Sequence, residues 1–110
     1  MAQILRRRVA ARPSRSVAYP ALALAMHAYM KLALEDPRSA AATAADETAR
    51  RHVIQLKGVG SPEANRAAGA WLTSIQAVRM AEPGGDLHAA VATQRRAQSA
   101  FVSIMGREIP

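Results

Sequence analysis

The chain of 110 residues contains no cysteine. This absence excludes a disulfide scaffold, a thiolate metal site and a cysteine nucleophile. Large apolar side chains are also scarce, because 26 of the hydrophobic residues are alanine and the aromatic residues are one Trp, two Tyr and one Phe. A chain of this length and composition predicts one compact domain with a modest core.

Acidic residues are missing from the first third of the chain. None precedes Glu35, whereas the same stretch contains six basic residues, namely Arg6, Arg7, Arg8, Arg12, Arg15 and Lys31. We therefore interpret residues 1–16 as an Arg-rich N-terminal arm, a kind of segment that usually binds an anionic partner or another subunit. Mitochondrial transit peptides share this composition, so a targeting role stays an alternative.

The apolar run 17–34 is a poor candidate for a membrane span. It contains Pro20, His27 and Lys31 and is rich in alanine, whereas a membrane span needs about 20 strongly apolar residues. We therefore expect a soluble, cytoplasmic protein without a membrane partner.

Proline and glycine clusters divide residues 17–110 into four predicted helices of one domain. The breaks lie at 36–37, 58–62 and 83–86, and the stretches between them have helical periodicity. The predicted helices span about 17–35, 38–57, 62–82 and 87–105. Short connections favour antiparallel neighbours. The predicted fold class is an all-α, antiparallel four-helix bundle with a basic N-terminal arm.

The first predicted helix is apolar on more than one side. Leu22, Met26 and Tyr29 lie on one stripe, whereas Leu24 and Leu34 lie opposite. Such a pattern suits a central helix or one that packs against a second subunit.

Capping residues give the expected helix ends. Ser61 and Asp86 are suitable N-caps, with Pro62 at the first position of the third helix and Gly106 just after the last one. Gln94 and Gln98 fall within the apolar stripe of the last helix. Either they lie at the solvated edge of the stripe, or they are buried and need hydrogen-bond partners.

The sequence contains no recognisable catalytic or metal-binding pattern. His27, His52 and His88 lie on different predicted helices without the spacing of zinc ligands. Asp46 and Glu47 are adjacent on a helix and point about 100° apart, so they do not form a converging carboxylate pair. We expect no enzyme activity, no cofactor and no metal.

The segment 53–64 resembles the helix-hairpin-helix family of DNA-backbone binders. The matching residues are Val53, Leu56, Gly58, Val59, Gly60 and Ala64. In that family a glycine turn lets backbone N–H groups approach a phosphate. The resemblance implies that Gly58, Gly60 and Lys57 contact a nucleic acid, although Lys57 stands where the family usually has proline. Alternatively, the same residues only end one helix and begin the next.

Further basic residues extend the possible anion-binding surface. A stripe along a phosphate backbone would join the arm to Arg50, Arg51, Lys57, Arg66, Arg95 and Arg96. Alternatively, Arg50 or Arg51 pairs with Asp46 or Glu47 on the same helix.

The whole chain resembles the small subunit of CRISPR effector complexes in size, helical architecture and charge. The resemblance implies a non-catalytic subunit that stacks with other subunits, including copies of itself. It also implies contact with crRNA, target or displaced strand through phosphates and without sequence specificity. Two alternatives stay open: a structural accessory subunit of an organellar ribosome or respiratory complex, and a helix-hairpin-helix DNA-binding protein.

Overall fold

The computed structural model describes residues 14–110, and within that range the chain folds into four α-helices without a strand. The helices are α1 (Arg15–Glu35), α2 (Ala40–Leu56), α3 (Pro62–Met80) and α4 (Gly85–Glu108). The prediction of an all-α helical bundle is confirmed. Arg15 and Ser16, predicted as part of the arm, belong to the first turn of α1. The predictions for Arg6, Arg7, Arg8 and Arg12 lie outside the described residues.

Serine side chains begin the second and third helices. The Ser39 hydroxyl accepts the N–H of Ala42 at 3.0 Å, and the Ser61 hydroxyl accepts the N–H of Ala64 at the same distance. Each bond satisfies one of the free N–H groups in the first helical turn. The prediction of Ser61 as N-cap with Pro62 after it is therefore confirmed.

Both predicted ends of the last helix are wrong. Gly84 is the N-cap, because its φ of 106° suits glycine and turns the chain into the helix before Asp86, which lies in the first turn. The other end extends past Gly106 to Glu108. Gly106 does not have a left-handed backbone, and the side chain of Glu108 is anchored by the other helices, as described below.

The core consists of one apolar cluster to which all four helices contribute. Its largest fully buried side chains are Tyr19, Leu22, Met26, Tyr29, Leu56, Trp71, Ile75, Val78 and Phe101. Phe101 lies at ring-centroid distances of 5.6 Å from both Tyr19 and Trp71. Such tilted aromatic pairs contribute about 1 kcal/mol each beyond the burial of their area. The packing of α4 therefore centres on Phe101.

Helix α2 contributes mainly small side chains to the core. Ala42 and Ala49 are fully buried, and Leu56 is the one large apolar residue of this helix that is equally buried. Small side chains allow two helix backbones to approach each other closely. The packing of α2 on α1 thus depends on proximity more than on bulky side chains.

Gln94 is buried, with 3% of its surface exposed. Its Nε2 donates to Oε1 of half-buried Gln98 at 3.2 Å. The expectation that this glutamine lies at the solvated edge is therefore wrong. The alternative, in which a buried amide finds a partner, describes the structure.

Helix α3 lies at the centre of the bundle and packs on each of the other three helices. At one end of α3, Ser61 contacts Glu108 of α4. At the other end, Arg79 contacts Thr43 near the start of α2. These contacts place the start of α3 beside the end of α4 and the end of α3 beside the start of α2. By contrast, α2 and α4 share no extended interface.

By length and composition, α1 is apolar enough to cross a membrane, with a mean hydropathy of 1.3 over an 18-residue window. Six of its residues are buried inside the bundle, whereas most of that window is exposed or half-buried. Its outer side exposes Val17, Leu24 and Leu34, whose exposed fractions are 61%, 70% and 49%. The predicted apolar character on more than one side of this helix is confirmed.

Candidate nucleic-acid interface

The N–H groups of the glycine turn already have acceptors. Gly58 donates to the carbonyl of Gln55 at 3.1 Å, and both Val59 and Gly60 donate to the carbonyl of Leu56, at 3.0 and 2.6 Å. The next N–H, that of Ser61, donates to Oη of Tyr19 at 3.3 Å. Because these donors are occupied, Gly58 and Gly60 would reach a phosphate only by breaking the turn. This geometry favours the alternative interpretation, in which the segment only ends one helix and begins the next.

Close packing accounts for one of the two glycines. A Cβ on Gly60 would stand 3.0 Å from the carbonyl oxygen and Cγ of Leu56 and from Oδ1 of Asn65. A Cβ on Gly58 would meet only the carbonyl oxygen of Gln55, at 3.6 Å. Neither glycine has a positive φ. Gly60 is therefore needed for space between α2 and α3, whereas Gly58 is not.

The carboxylate of Glu108 lies beside the glycine turn. It binds Arg15, which is one of the predicted nucleic-acid contacts. Glu108 accepts a hydrogen bond from Oη of Tyr19 at 2.6 Å and from Oγ of Ser61 at 2.7 Å. Arg15 pairs with the same carboxylate at 3.3 Å and donates through Nε to the carbonyl of Val59 at 2.8 Å. Arg15 is thus committed to joining α1 to the turn and to α4.

The hydrogen bonds of this cluster shift the pKa values of Glu108 and Tyr19. The hydroxyl donors of Tyr19 and Ser61 lower the pKa of Glu108, because they stabilise its charged form, and Arg15 adds to the effect. Burial raises the pKa of Tyr19, and the neighbouring carboxylate raises it further. Glu108 is consequently a permanent negative charge beside the turn at neutral pH, which disfavours a phosphate there.

The predicted basic residues of α2 do not join those of α4. Arg50 pairs through Nε with Oδ2 of Asp46 at 2.8 Å, as the alternative interpretation expected. Arg51 and Lys57 are exposed and form no ion pair within residues 14–110. Since α2 and α4 share no extended interface, helix packing does not bring these residues beside the basic pair of α4.

Three arginines of α3 and α4 lie on one surface. Nη2 of Arg107 donates to Oε1 of Glu63 at 2.9 Å, so the exposed edges of the two helices meet there. Arg66 follows Glu63 by three residues, and Arg96 precedes Arg107 by eleven residues, which is about three helical turns. Each spacing returns a side chain to the same edge of its helix. Arg66, Arg96 and Arg107 therefore face the same side.

We call this surface the α3–α4 face. Its exposed members are Glu63, Arg66, Ala70, Thr73 and Ala77 of α3 and Thr93, Arg96, Ala100, Ser103 and Arg107 of α4. The residues between the arginines are small and neutral, and the only carboxylate of this set is paired with Arg107. Arg96 and Arg107 lie roughly 16 Å apart along the axis of α4. Arg95 lies about 100° around the helix from Arg96 and flanks the face.

Sequence reasoning missed Arg107. Arg107 follows Arg96 by eleven residues. This spacing predicts that both side chains lie on the same side of α4, provided that the helix continues beyond Gly106. A helix that ends before Gly106 excludes Arg107 from the periodic pattern, whereas the observed helix extends to Glu108 and includes it.

Metal-ligating side chains do not cluster within residues 14–110, where no group of three His, Asp or Glu residues is arranged around a common point. His27 instead packs edge-on against Trp71, with ring centroids 5.6 Å apart. The expectation of a non-catalytic protein stays a prediction.

Comparisons with protein-family models, with curated proteins and with solved structures found no match to this chain.

Proposed function

We propose that the chain is a non-catalytic, basic helical subunit of a larger ribonucleoprotein assembly. In this proposal the α3–α4 face contacts the phosphate backbone of a nucleic acid. The main support is the arrangement of Arg66, Arg96 and Arg107 with small neutral side chains between them. Guanidinium groups bind phosphate oxygens bidentately, and the small residues leave room for a sugar-phosphate chain to approach.

Recognition of base sequence is not part of the proposal. Tyr19, Tyr29, Trp71 and Phe101 are the four aromatic residues of the chain, and all of them are fully buried. Proteins that stack bases need exposed aromatic rings. The contacts we propose are therefore to phosphate and insensitive to sequence.

The N-terminal arm adds four arginines to the cationic surface in this proposal. Arg6, Arg7, Arg8 and Arg12 occur in a segment without an acidic residue. Such a segment binds polyanions through simple charge attraction, with affinity that falls as salt is added. We propose the same nucleic acid, or a neighbouring subunit, as its partner.

We propose an assembly of the CRISPR effector type, with crRNA, the target or the displaced strand as the nucleic acid and the cytoplasm as the compartment. Size, helical architecture and charge support this assignment. The outer side of α1 provides a surface for neighbouring protein subunits, because Val17, Leu24 and Leu34 are exposed there. A membrane partner is not proposed.

The exposed apolar side of α1 also favours a second candidate, a structural accessory subunit that binds only proteins. In that case the arginines serve solubility or protein contacts, and no nucleic acid is bound. The third candidate, a helix-hairpin-helix DNA binder, is disfavoured because the N–H groups of Gly58 and Gly60 are occupied.

Fluorescence anisotropy with single-stranded RNA and DNA oligonucleotides tests the proposal. We expect binding at 50 mM salt that weakens steeply towards 200 mM. Arg96→Gln should lower the affinity several-fold and make the plot of log K against log salt shallower by about 0.7, the value for one phosphate contact on a single strand.

The matched control is Lys31→Gln, which removes one exposed charge from the outer side of α1. We expect this variant to bind nearly as tightly as the wild type. Equal losses in both variants would show that only net charge matters, and no binding at 50 mM salt would favour the structural subunit.

A further inference from the structure

An open cavity of about 190 Å³, lined by both polar and apolar atoms, lies between α1, α2 and α3. Its lining includes Tyr29, Asp46, Arg50, Gln76 and Arg79. None of these residues belongs to the α3–α4 face. A second, larger groove of about 620 Å³ shares Arg79 with the cavity. The two spaces therefore adjoin at the Arg79 side chain.

The carboxylate of the cavity has its hydrogen-bonding capacity largely filled. Asp46 is 7% exposed. Its Oδ1 accepts from Nε2 of Gln76 at 3.0 Å, and its Oδ2 accepts from Nε of Arg50 at 2.8 Å. These donors offset the cost of burying a charge. With both oxygens occupied and a guanidinium beside it, Asp46 offers little to a bound cation.

The arginines of the cavity keep hydrogen-bond donors to spare. A guanidinium has five N–H donors on three nitrogens. Arg79 uses Nε on the carbonyl of Pro37 at 2.6 Å and Nη2 on Oγ1 of Thr43 at 2.7 Å. Arg50 makes its bond to Asp46 through Nε. The free donors therefore outnumber the free acceptors, which favours an anion.

Tyr29 adds a protonated hydroxyl to the same space. Burial and the Asp46 carboxylate raise the pKa of Tyr29, while Arg79 opposes the effect. A tyrosine hydroxyl carries its proton at neutral pH and can donate one hydrogen bond.

The larger groove has the walls that an organic group needs. Pro37, Met80 and Pro83 supply apolar surface, Arg38 supplies a further guanidinium, and Glu82 supplies a carboxylate. Pockets for small molecules combine such apolar walls with a few polar groups that fix orientation. An anion at Arg79 would thus have an apolar surface beside it.

We propose that the cavity and the groove form one binding site for a small organic phosphate. The phosphate group lies at Arg79, with Arg38 and Arg50 on either side, and the organic part lies in the larger groove. The three guanidinium groups outnumber the two carboxylates of the lining, Asp46 and Glu82, and they attract the double negative charge of a phosphate monoester more strongly than the single charge of a carboxylate. This site goes beyond the proposed function, because it takes a small molecule through residues outside the α3–α4 face.

Isothermal titration calorimetry of the full chain tests this site with three probes: adenosine 5′-monophosphate, inorganic phosphate and adenosine. We expect the two phosphate-bearing probes to bind and adenosine to give no heat. Arg38→Gln should weaken binding of the monophosphate at least fivefold. Arg51→Gln, a neighbouring exposed arginine that lines neither space, should leave it unchanged.

Three outcomes overturn the proposal: neither phosphate probe binds, adenosine binds as well as its monophosphate, or the two variants lose affinity equally. Arg79→Lys keeps the charge but removes the planar fork, and a melting curve shows whether it folds. Arg38 forms no hydrogen bond within residues 14–110, so Arg38→Gln decides the question even if the Arg79 variant unfolds.

Arg96→Gln separates this site from the nucleic-acid interface. We expect this variant to bind oligonucleotides more weakly and the monophosphate as tightly as the wild type. A loss of monophosphate binding equal to that of Arg38→Gln would place the phosphate on the α3–α4 face and overturn the proposed site. Monophosphate binding without oligonucleotide binding would support the site and remove the proposed function.

Discussion

The hydroxyl of Tyr19 donates a hydrogen bond of 2.6 Å to the carboxylate of Glu108, across 89 positions of sequence. The same hydroxyl accepts the N–H of Ser61, and the same carboxylate accepts the hydroxyl of Ser61. These three residues tie the start of α1, the start of α3 and the end of α4 together at one point.

Tyr19→Phe should destabilise the fold by about 1–3 kcal/mol. The substitution keeps the ring against Phe101 but removes both a donor to Glu108 and the acceptor of the Ser61 N–H, leaving partly buried polar groups without partners. Urea denaturation measures the change. Thr73→Ala, on the exposed surface of α3, is the control and should cost less than about 0.5 kcal/mol. A Tyr19 variant as stable as this control would contradict the prediction.

Stability should fall at acidic pH as Glu108 takes up a proton. Its pKa in the folded state lies below the ordinary value of 4.5, because Tyr19 and Ser61 donate to the carboxylate. The stabilisation is therefore complete above that value and is lost as pH falls through the folded-state pKa. We expect Glu108→Gln to be less stable than the wild type at neutral pH, and the difference to shrink in acid. Urea midpoints measured across the acidic range test this. A difference independent of pH would contradict the assignment.

Gly60→Ala should be destabilising, whereas Gly58→Ala should be tolerated. The new methyl group at position 60 meets the backbone oxygen of Leu56 at 3.0 Å, which cannot move without disturbing the end of α2. Overpacking of this kind costs about 1–3 kcal/mol. At position 58 the nearest atom is at ordinary van der Waals distance. Thermal or chemical denaturation of the two variants compares them directly, and equal stabilities would show that the turn relaxes freely.

Asp46→Ala should cost about 1–3 kcal/mol, because it leaves half-buried Gln76 without its acceptor, whereas the exposed Arg50 returns to solvent. Glu47→Ala provides a matched control from the next position, since Glu47 is exposed and forms no ion pair within residues 14–110. We expect the control to stay within about 0.5 kcal/mol of the wild type in urea denaturation. Similar effects of the two substitutions would show that Asp46 is not structurally special.

The local features of the fold could be predicted from the sequence. Helix breaks at proline and glycine clusters and the cap at Ser61 depend on residues a few positions apart, and the apolar stripes reflect the helical period. Helix α2 begins at Ala40, two residues after its predicted start, because the side chain of Ser39 caps it. The start of α4 depends on the backbone conformation of Gly84, which no side chain reveals.

Long-range partners could not be predicted in this way. Asp46 meets Gln76 across 30 positions, and Glu108 meets Tyr19 and Ser61 on two other helices. Periodicity tells which side of a helix is buried but not which polar groups meet there. For the same reason the sequence placed Arg50 and Arg95 in one stripe, although their helices do not pack on each other.

Because α3 lies at the centre of the bundle, we expect the four helices to differ in their stability against local unfolding. Helix α3 packs on every other helix, whereas α4 packs mainly on α3 and is held further by the hydrogen bonds of Glu108. Thermal fluctuations should therefore detach α4 before they open α3, so the slowest amide protons to exchange with deuterated solvent should belong to α3.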